Sequence, residues 1–292
     1  MSQLLMASGF GLVTASVLAI AAVGLSLQFG ITNYINFAYG DFMALGAYIT
    51  LEFNSGFTRL NIWVAMAAGT LAMGVIAVLL NRFLLGPFAR KFDKLFYILI
   101  VTFGLSLIIL NLVSSIWGSE VRRYALANEN PHHLGPLLLT TGQLIVMAVA
   151  VVLMALVHLM LKTTKLGKSM RAMSDNTTLA MTSGIDTRRI TTITWFLSGA
   201  LAGLAGSVLG ITSASLTPSS GETFLFVIFA AVIVGGVGSI YGAMAGALII
   251  GLATEVSALL INPSYKLDIA FVILILTLLF RPSGLFARLG KA

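Results

Sequence analysis

The chain consists mainly of apolar runs, most of them long enough to cross a lipid bilayer as helices. These runs occupy residues 9–29, 42–53, 62–80, 95–117, 141–161, 190–211, 224–237, 241–261 and 267–280. About 20 apolar residues in an α-helix span the roughly 30 Å of hydrocarbon in a bilayer. Charged residues make up only 9% of the chain, far below the roughly 25% found in soluble domains. The sequence therefore predicts an all-α, polytopic transmembrane helical bundle of about eight or nine spans, formed by residues 1–292 as a single domain.

Thirteen of the 17 basic residues lie in three clusters, within residues 82–94, 162–189 and 281–291. Loops that carry Lys and Arg stay on the cytoplasmic side of a membrane. We therefore expect all three clusters in the cytoplasm and the N-terminus outside, provided that the chain turns once near residues 235–239. This topology accounts for the net charge of +7 without a nucleic-acid partner.

The second cluster, residues 162–189, is a charged, helix-compatible stretch between two apolar runs, and we call it the polar island. A soluble partner could reach basic residues placed there, which predicts a docking surface; the alternative is a loop that only fixes topology. Its Gly167-Lys168-Ser169 resembles the end of a phosphate-binding loop. That motif requires a glycine five residues before Gly167, where the chain has Lys162. We therefore expect no nucleotide site in this chain.

Glycines recur at four-residue spacing in the later apolar runs, where Gly199 is followed by Gly203 and Gly206 by Gly210. The same spacing continues through Gly238, Gly242 and Gly246. Small residues at this interval let membrane helices approach each other closely. Two interpretations remain open at this point: tight packing within the chain, or the walls of a translocation path.

Few carboxylates lie near membrane depth, namely Asp41, Glu52, Glu222 and Glu255. Ion-driven carriers keep such costly groups for coupling or for proton relay. Each of the four can instead be explained by a position at the membrane interface. Asp41 and Glu222 begin helices, where the helix dipole favours a negative charge. Glu52 and Glu255 lie near helix ends. The sequence therefore predicts neither a proton relay nor a transport role for Glu255.

Three stretches of the chain resemble one family. The first is NFAYGDFMALGAY, at residues 36–48. The second consists of LGKSMRA at residues 166–172 and GID at residues 184–186. The third consists of GGVGSIYGA at residues 235–243 and FRPSGLF at residues 280–286. They are similar, in the same order, to segments of the branched-chain amino-acid ABC importer permeases, and the chain length resembles the shorter, Liv-H-type subunit. Tyr39, Asp41 and Tyr241 depart from the residues that many relatives have.

The resemblance implies a permease subunit of an ATP-driven importer that moves amino acids, branched-chain ones in the first place, across the bacterial cytoplasmic membrane. It also implies three kinds of partner: a second homologous permease chain, two cytoplasmic ATPase subunits and a periplasmic substrate-binding protein. The partner subunits would use ATP and Mg²⁺, while this chain would bind no cofactor and no metal and would not be an enzyme. Relatives also carry other amino acids, amides or urea, and these alternatives remain open.

Two sets of site residues follow from the resemblance. The ATPase-coupling set lies in the polar island, which would form a cytoplasmic coupling helix with basic contacts and apolar anchors: Gly167, Lys168, Met170, Arg171, Met173, Gly184, Ile185 and Asp186, with Leu179 and Met181 as further anchors. The translocation-path set is Asn36, Asp41, Gly203, Gly206, Gly236, Gly238, Ser239 and Gly242. An ion-coupled secondary carrier and a channel subunit are the alternative functions.

Overall fold

A computed structural model describes residues 2–56, 58–91, 95–126, 132–134 and 137–286. Its helices are α1 (Ser2–Thr32), α2 (Tyr39–Ser55), α3 (Ile62–Leu80), α4 (Gly86–Lys91), α5 (Leu95–Trp117), α6 (Thr141–Thr163), α7 (Lys165–Asp175), α8 (Thr177–Thr182), α9 (Thr187–Ser213), α10 (Ser220–Gly235), α11 (Ile240–Leu260) and α12 (Lys266–Phe280). A π-helical turn, Asn81–Leu85, joins α3 to α4, and a 3-10 turn, Pro263–Tyr265, precedes α12. Two three-residue strands, β1 (His132–Leu134) and β2 (Leu137–Leu139), pair antiparallel before α6. The predicted helical bundle is confirmed.

Each predicted apolar run coincides with a helix, but three of these helices, α2, α10 and α12, have fewer than 18 residues. Seven helical segments among the described residues are long and apolar enough to cross a membrane: Gln3–Thr32, Ile62–Ala89, Phe96–Trp117, Thr141–Thr163, Thr187–Ser213, Ile240–Leu259 and Pro263–Phe280. α2 has 17 residues and α10 has 16, so each is roughly 25 Å long at about 1.5 Å per residue. Both are shorter than a bilayer-crossing helix needs to be, whereas the preceding 3-10 turn extends the 15-residue α12 to a segment of 18. The described residues therefore hold seven segments of spanning length, rather than the predicted eight or nine.

The N-terminus of α2 lies at mid-depth in the bundle. Ser106, at the centre of the 23-residue α5, donates a hydrogen bond to the carboxylate of Asp41 in the first turn of α2. Eleven residues further along both helices, Trp117 Nε1 donates to Glu52 Oε2 at 3.0 Å. α2 therefore runs parallel to the second half of α5.

A partly buried loop, residues 33–38, leads from the end of α1 back to this mid-depth position. Asn36 lies beside Gln28 of α1, with 3.5 Å between Nδ2 and Oε1. Its Oδ1 accepts a hydrogen bond from Ala38 N at 3.1 Å, and both residues are fully buried. Non-helical backbone at membrane depth is tolerated where protein covers it, so the loop is re-entrant and depends on the surrounding helices.

The N-terminus of α10 lies at the same depth as that of α2. Gly40 and Gly221 each precede the acidic residue of the first turn, Asp41 in α2 and Glu222 in α10. The two glycine backbones touch so closely that a Cβ on either would collide with the carbonyl of the other. A second irregular loop, residues 214–219, leads from the end of α9 into this position.

The two halves of the chain repeat one arrangement in opposite orientations. Each half has a long helix, a loop, a short helix, a second long helix and a peripheral one: α1, α2, α3 and α5 in the first half, α9, α10, α11 and α12 in the second. α1 packs mainly on α11, and α9 packs mainly on α3. α1 and α9 are antiparallel, because Gly24 lies against Leu201 while Gln28, further along α1, lies against the earlier Ser198. The halves are therefore inverted repeats, an architecture found in many transporters.

The described basic clusters lie at one end of the bundle, which we call the basic end. Gly30, near the end of α1, lies beside Ser174 of α7 and Gly238. The segment after α12 also lies there, because Leu285 N donates to Val234 O at 2.8 Å. This grouping agrees with the predicted topology for Arg82, the polar island and Arg281. The further cations Lys94, Arg288 and Lys291 lie outside the described residues.

At the opposite end, the loop that follows α5 covers α2 and the loop before α10. Arg122 and Leu216 exchange backbone hydrogen bonds at 2.8 and 2.9 Å. The hydroxyl of Tyr124 donates to Ala47 O at 3.0 Å. Burial raises the pKa of Tyr124 above its usual range, which keeps the phenol neutral and able to donate. These contacts tie α2, α5 and the loop before α10 together.

Candidate coupling surface and translocation path

The polar island forms two short helices that are held against the basic end. Thr164 caps α7, because its Oγ1 accepts a hydrogen bond from Gly167 N at 3.1 Å. Gly167 lies so close to the backbone of Leu161 that a side chain at this position would collide with it. α7 therefore folds back tightly on the end of α6. This close approach explains the glycine without any contact to a partner protein.

The structure corrects the predicted role of two methionines in the coupling set. Met170 and Met173 are 3% and 2% exposed, because they point from α7 into the bundle. They therefore cannot supply apolar anchors to an ATPase, as the sequence suggested. They attach α7 to the membrane helices instead, where α7 contacts both α1 and α9.

The surface that α7 and α8 leave exposed combines cations with apolar side chains. Lys168 and Arg171 are exposed on α7, and Leu179 and Met181 on α8 are 64% and 58% exposed. More cations surround them, and the exposed Lys and Arg side chains of this segment are Lys162, Lys165, Lys168, Arg171, Arg188 and Arg189. Such a surface suits a soluble partner that presents carboxylates around an apolar groove.

The end of the polar island is a turn that starts α9. Gly184 has a φ of +84°, a left-handed conformation that favours glycine. Ile185 N donates back to Ala180 O at 3.1 Å, and Asp186 caps α9 by accepting from Arg189 N at 3.0 Å. Gly184, Ile185 and Asp186 therefore have a local structural reason for their positions. A direct contact between these three residues and an ATPase stays a prediction.

The residues predicted to line one translocation path lie in two separate places. Asn36, Asp41, Gly203 and Gly206 belong to the mid-depth core, where Gly206 packs on the backbone of Met43. Of the other four residues, Gly236, Gly238 and Ser239 lie in the turn between α10 and α11, and Gly242 lies in the first turn of α11. There Ser239 caps α11 through Gly242 N at 3.1 Å, and Gly242 packs on Gly235. These glycines therefore serve separate backbone contacts at two depths, which explains them by packing, and a translocation path along them stays a prediction.

The mid-depth core contains a polar cluster that the sequence analysis did not assemble. Gln28 Oε1 lies 3.5 Å from Asn36 Nδ2 and 3.4 Å from Ser198 Oγ. Within the described residues, Gln28 Nε2 and Asp41 Oδ1 are buried without a hydrogen-bond partner. Asp41 is only 1% exposed, so its predicted interfacial position is also wrong. Polar residues within apolar runs were the one sequence feature that could have indicated this cluster. The sequence alone did not indicate that these residues lie in contact.

A cavity of about 440 Å³ opens at the opposite end, between α1, α6, α9, α10, α11 and α12. Glu255 contributes to its wall, together with Lys266, Thr14 and Gln143. Glu255 Oε2 forms an ion pair with Lys266 Nζ at 2.7 Å, and its Oε1 accepts a hydrogen bond from Thr14 Oγ1 at 3.0 Å. From the sequence, Glu255 stood alone, since Thr14 and Gln143 come from distant parts of the chain and Lys266 lies beyond the end of its helix.

Comparison with known proteins identifies relatives over almost the full chain. Residues 8–278 match the family described as the permease component of the branched-chain amino acid transport system. The chain is 30% identical to the high-affinity branched-chain amino acid transport system permease protein LivH of Escherichia coli K12, over 95% of this chain and 94% of the relative. It is 31% identical to the probable LivH of Methanocaldococcus jannaschii, over 94% and 90%. It is 28% identical to BraD of Pseudomonas aeruginosa, over 95% and 94%.

Proposed function

The chain belongs to the branched-chain amino acid transport permease family, and we propose that it is the permease subunit of an ATP-driven importer for branched-chain amino acids. The observation that carries this proposal is the similarity to LivH over nearly the whole of both chains. A multi-pass membrane protein with apolar helices of spanning length suits this role. The proposed location is the bacterial cytoplasmic membrane, with the basic end inside.

The polar island supports a role in coupling to ATPase subunits. Lys168 and Arg171 would pair with carboxylates of the ATPase, and Leu179 and Met181 would enter its apolar groove. Because Met170 and Met173 fix α7 to the bundle, a shift of the docked ATPase would move α7 as a unit. α7 touches α1 and α9, the first helices of the two inverted repeats, so this shift would reach both repeats.

The remaining partners would complete the importer. A second, homologous permease would pack on this chain within the membrane, and a periplasmic binding protein would deliver the amino acid to the opposite end. Two ATPase subunits would hydrolyse ATP with Mg²⁺, and this chain would bind neither ATP nor Mg²⁺. Its own contribution would be the path and the coupling surface.

Transport by the reconstituted complex tests the proposal. The chain is coexpressed with the second permease and the ATPase, and the complex is placed in liposomes with ATP inside and the binding protein outside. We expect uptake of radiolabelled leucine, isoleucine and valine that depends on ATP and on the binding protein. A catalytically inactive ATPase is the control. Uptake that follows an imposed proton gradient without ATP would instead support an ion-coupled carrier, and selective uptake of urea or an amide would change the substrate.

A further inference from the structure

We infer that the cavity at the opposite end is a binding site for the zwitterion of an amino acid with an apolar side chain. The inference rests on the proposed function and adds a specific site to it. The cavity lies where α10 leaves space in the bundle, because α10 begins at mid-depth and Phe224 in its second turn forms part of the wall. Its depth and its charged rim make it the entrance from the opposite end.

The charged side chains of the cavity match the two charged groups of an amino acid. The described contacts of Lys266 use one of the three N–H donors of its ammonium group, in the ion pair with Glu255. The carboxylate of Glu255 accepts bonds from Lys266 and Thr14 and has further lone pairs. An amino acid carries its ammonium and carboxylate on one carbon. Placed antiparallel to the ion pair, it would give its ammonium to Glu255 and its carboxylate to Lys266.

The deeper wall of the cavity matches an aliphatic side chain. Val17, Leu209 and Phe224 line it, on α1, α9 and α10 respectively. Burying an aliphatic side chain among such residues removes apolar surface from water and favours binding. The volume of about 440 Å³ is within the range of small-molecule sites, roughly 300–1,000 Å³. Charge at the rim and apolar surface below are the arrangement that leucine, isoleucine and valine require.

The neutral ion pair also argues against a simple ion as the ligand. A lone cation or anion would meet both Glu255 and Lys266, and one of the two would repel it. A zwitterion has no such conflict because both of its charges are paired. A phospholipid with a zwitterionic headgroup is the competing occupant, and the experiment below separates it from an amino acid.

Protection of a single cysteine measures occupancy of the cavity directly. The chain has no cysteine, so Ser213→Cys places one thiol in the cavity wall. Thr58→Cys, exposed on the loop between α2 and α3, is the matched control outside it. Each variant is assembled with its partner subunits in nanodiscs without the binding protein and is labelled with a membrane-impermeant maleimide. Leucine should slow labelling at Ser213→Cys by the factor 1 + [L]/Kd, about tenfold at ten times Kd, and should leave Thr58→Cys unchanged.

Ligand analogues and charge variants test the assigned roles. Leucinol lacks the carboxylate and 4-methyl-2-oxopentanoate lacks the ammonium, so each should protect far less than leucine. Glu255→Gln and Lys266→Gln, combined with Ser213→Cys, should raise the leucine concentration for half protection about tenfold to a hundredfold, as the loss of a charged hydrogen bond predicts. Asp268→Asn, an exposed neighbour of Lys266, is the matched control and should leave protection unchanged.

The outcomes distinguish this site from the proposed function. Absence of leucine protection in complexes that transport leucine would overturn the site and leave the function intact. Protection that persists in both charge variants would also overturn the site. Slower labelling caused by phosphatidylethanolamine in the nanodisc, with no effect of leucine, would assign the cavity to lipid. Leucine protection in complexes that fail to transport would support the site and reject the importer.

Discussion

The two mid-depth helices, α2 and α10, begin alike and have different surroundings. Each starts with a glycine followed by a carboxylate, and the two glycines touch. In α2, 13 of 17 residues are buried, against 9 of 16 in α10. Asp41 is enclosed and accepts a hydrogen bond from Ser106, whereas Glu222 is exposed. One repeat therefore closes around its short helix, and the other leaves its short helix open.

This difference indicates which repeat provides a route for substrate. α2 is enclosed by α3, α5, α9 and α10, so little can pass beside it without disrupting the core. α10 has an open outer face, and Phe224 near its start borders the cavity. We expect substrate to enter through the second repeat, while the first repeat supports it. Four predictions test or refine this comparison.

The largest effect is expected where the two short helices touch. Gly221→Leu should abolish most of the folded protein, because its side chain would collide with the backbone of Gly40. Overpacking ordinarily costs roughly 1–3 kcal/mol, and backbone on both sides leaves little room for relaxation. The measurement is the folded yield in detergent, by fluorescence-detected size exclusion. Gly104→Leu is the matched control, because nothing lies near Gly104 in the middle of α5; equal yields of the two variants would show that the contact is dispensable.

The next effect concerns the link between both repeats and the ATPase. Lys168→Glu combined with Arg171→Glu should lower binding-protein-stimulated ATP hydrolysis more than about tenfold, since like charges across an interface cost several kcal/mol. Membrane insertion should not change, because both side chains are exposed. Lys168→Arg combined with Arg171→Lys keeps both positive charges at the same exposed positions and is the control, which should keep normal stimulation. Normal stimulation in the double Glu variant would contradict docking on α7.

The enclosed and exposed carboxylates should differ in their contribution to stability. Asp41→Leu removes the acceptor for Ser106 in a buried site, and the loss of such a hydrogen bond costs roughly 1–3 kcal/mol. Glu222→Leu should cost less than Asp41→Leu, because Glu222 is exposed and its replacement leaves no buried donor without an acceptor. Thermal unfolding of the purified proteins in one detergent measures both effects. If Glu222→Leu destabilised the protein as much as Asp41→Leu, the contrast between the two helices would be lost.

The smallest effect is expected at the ion pair of the open repeat. Lys266 is 39% exposed, so solvent screens its attraction to Glu255 and the pair should contribute about 1 kcal/mol or less to stability. Glu255→Gln should therefore lower the melting temperature only slightly in the absence of substrate. The same unfolding assay, repeated with leucine, should show that leucine stabilises the unmodified protein more than the variant. A large loss without leucine would indicate a structural role for the pair.

The fold class could be predicted from the sequence because each apolar run forms its own helix in a bilayer. Residues 141–161, for example, meet every backbone hydrogen-bonding need within one helix, whatever surrounds them. The same reasoning placed the polar island at the basic end. It failed for Met170 and Met173, since a helix has two sides and composition does not indicate which one faces the bundle. The prediction for Asp41 was also wrong, because a carboxylate in the first turn of a helix gives the same sequence pattern at the membrane surface and at mid-depth.

The sequence by itself determined the membrane class, the order of the apolar helices, the basic end and the family resemblance, because these depend on local composition and on contiguous motifs; it left the number of spans open at eight or nine. Only the tertiary structure decided that α2 and α10 begin at mid-depth, and that the halves are inverted repeats. It alone placed Glu255 beside Lys266 and Thr14, which is 241 residues away in the chain. The physical reason is that lipid is as apolar as the helix surfaces, so helix contacts depend on close packing and a few polar pairs. Many of these contacts join residues that are far apart in the chain, and no local sequence pattern predicts them.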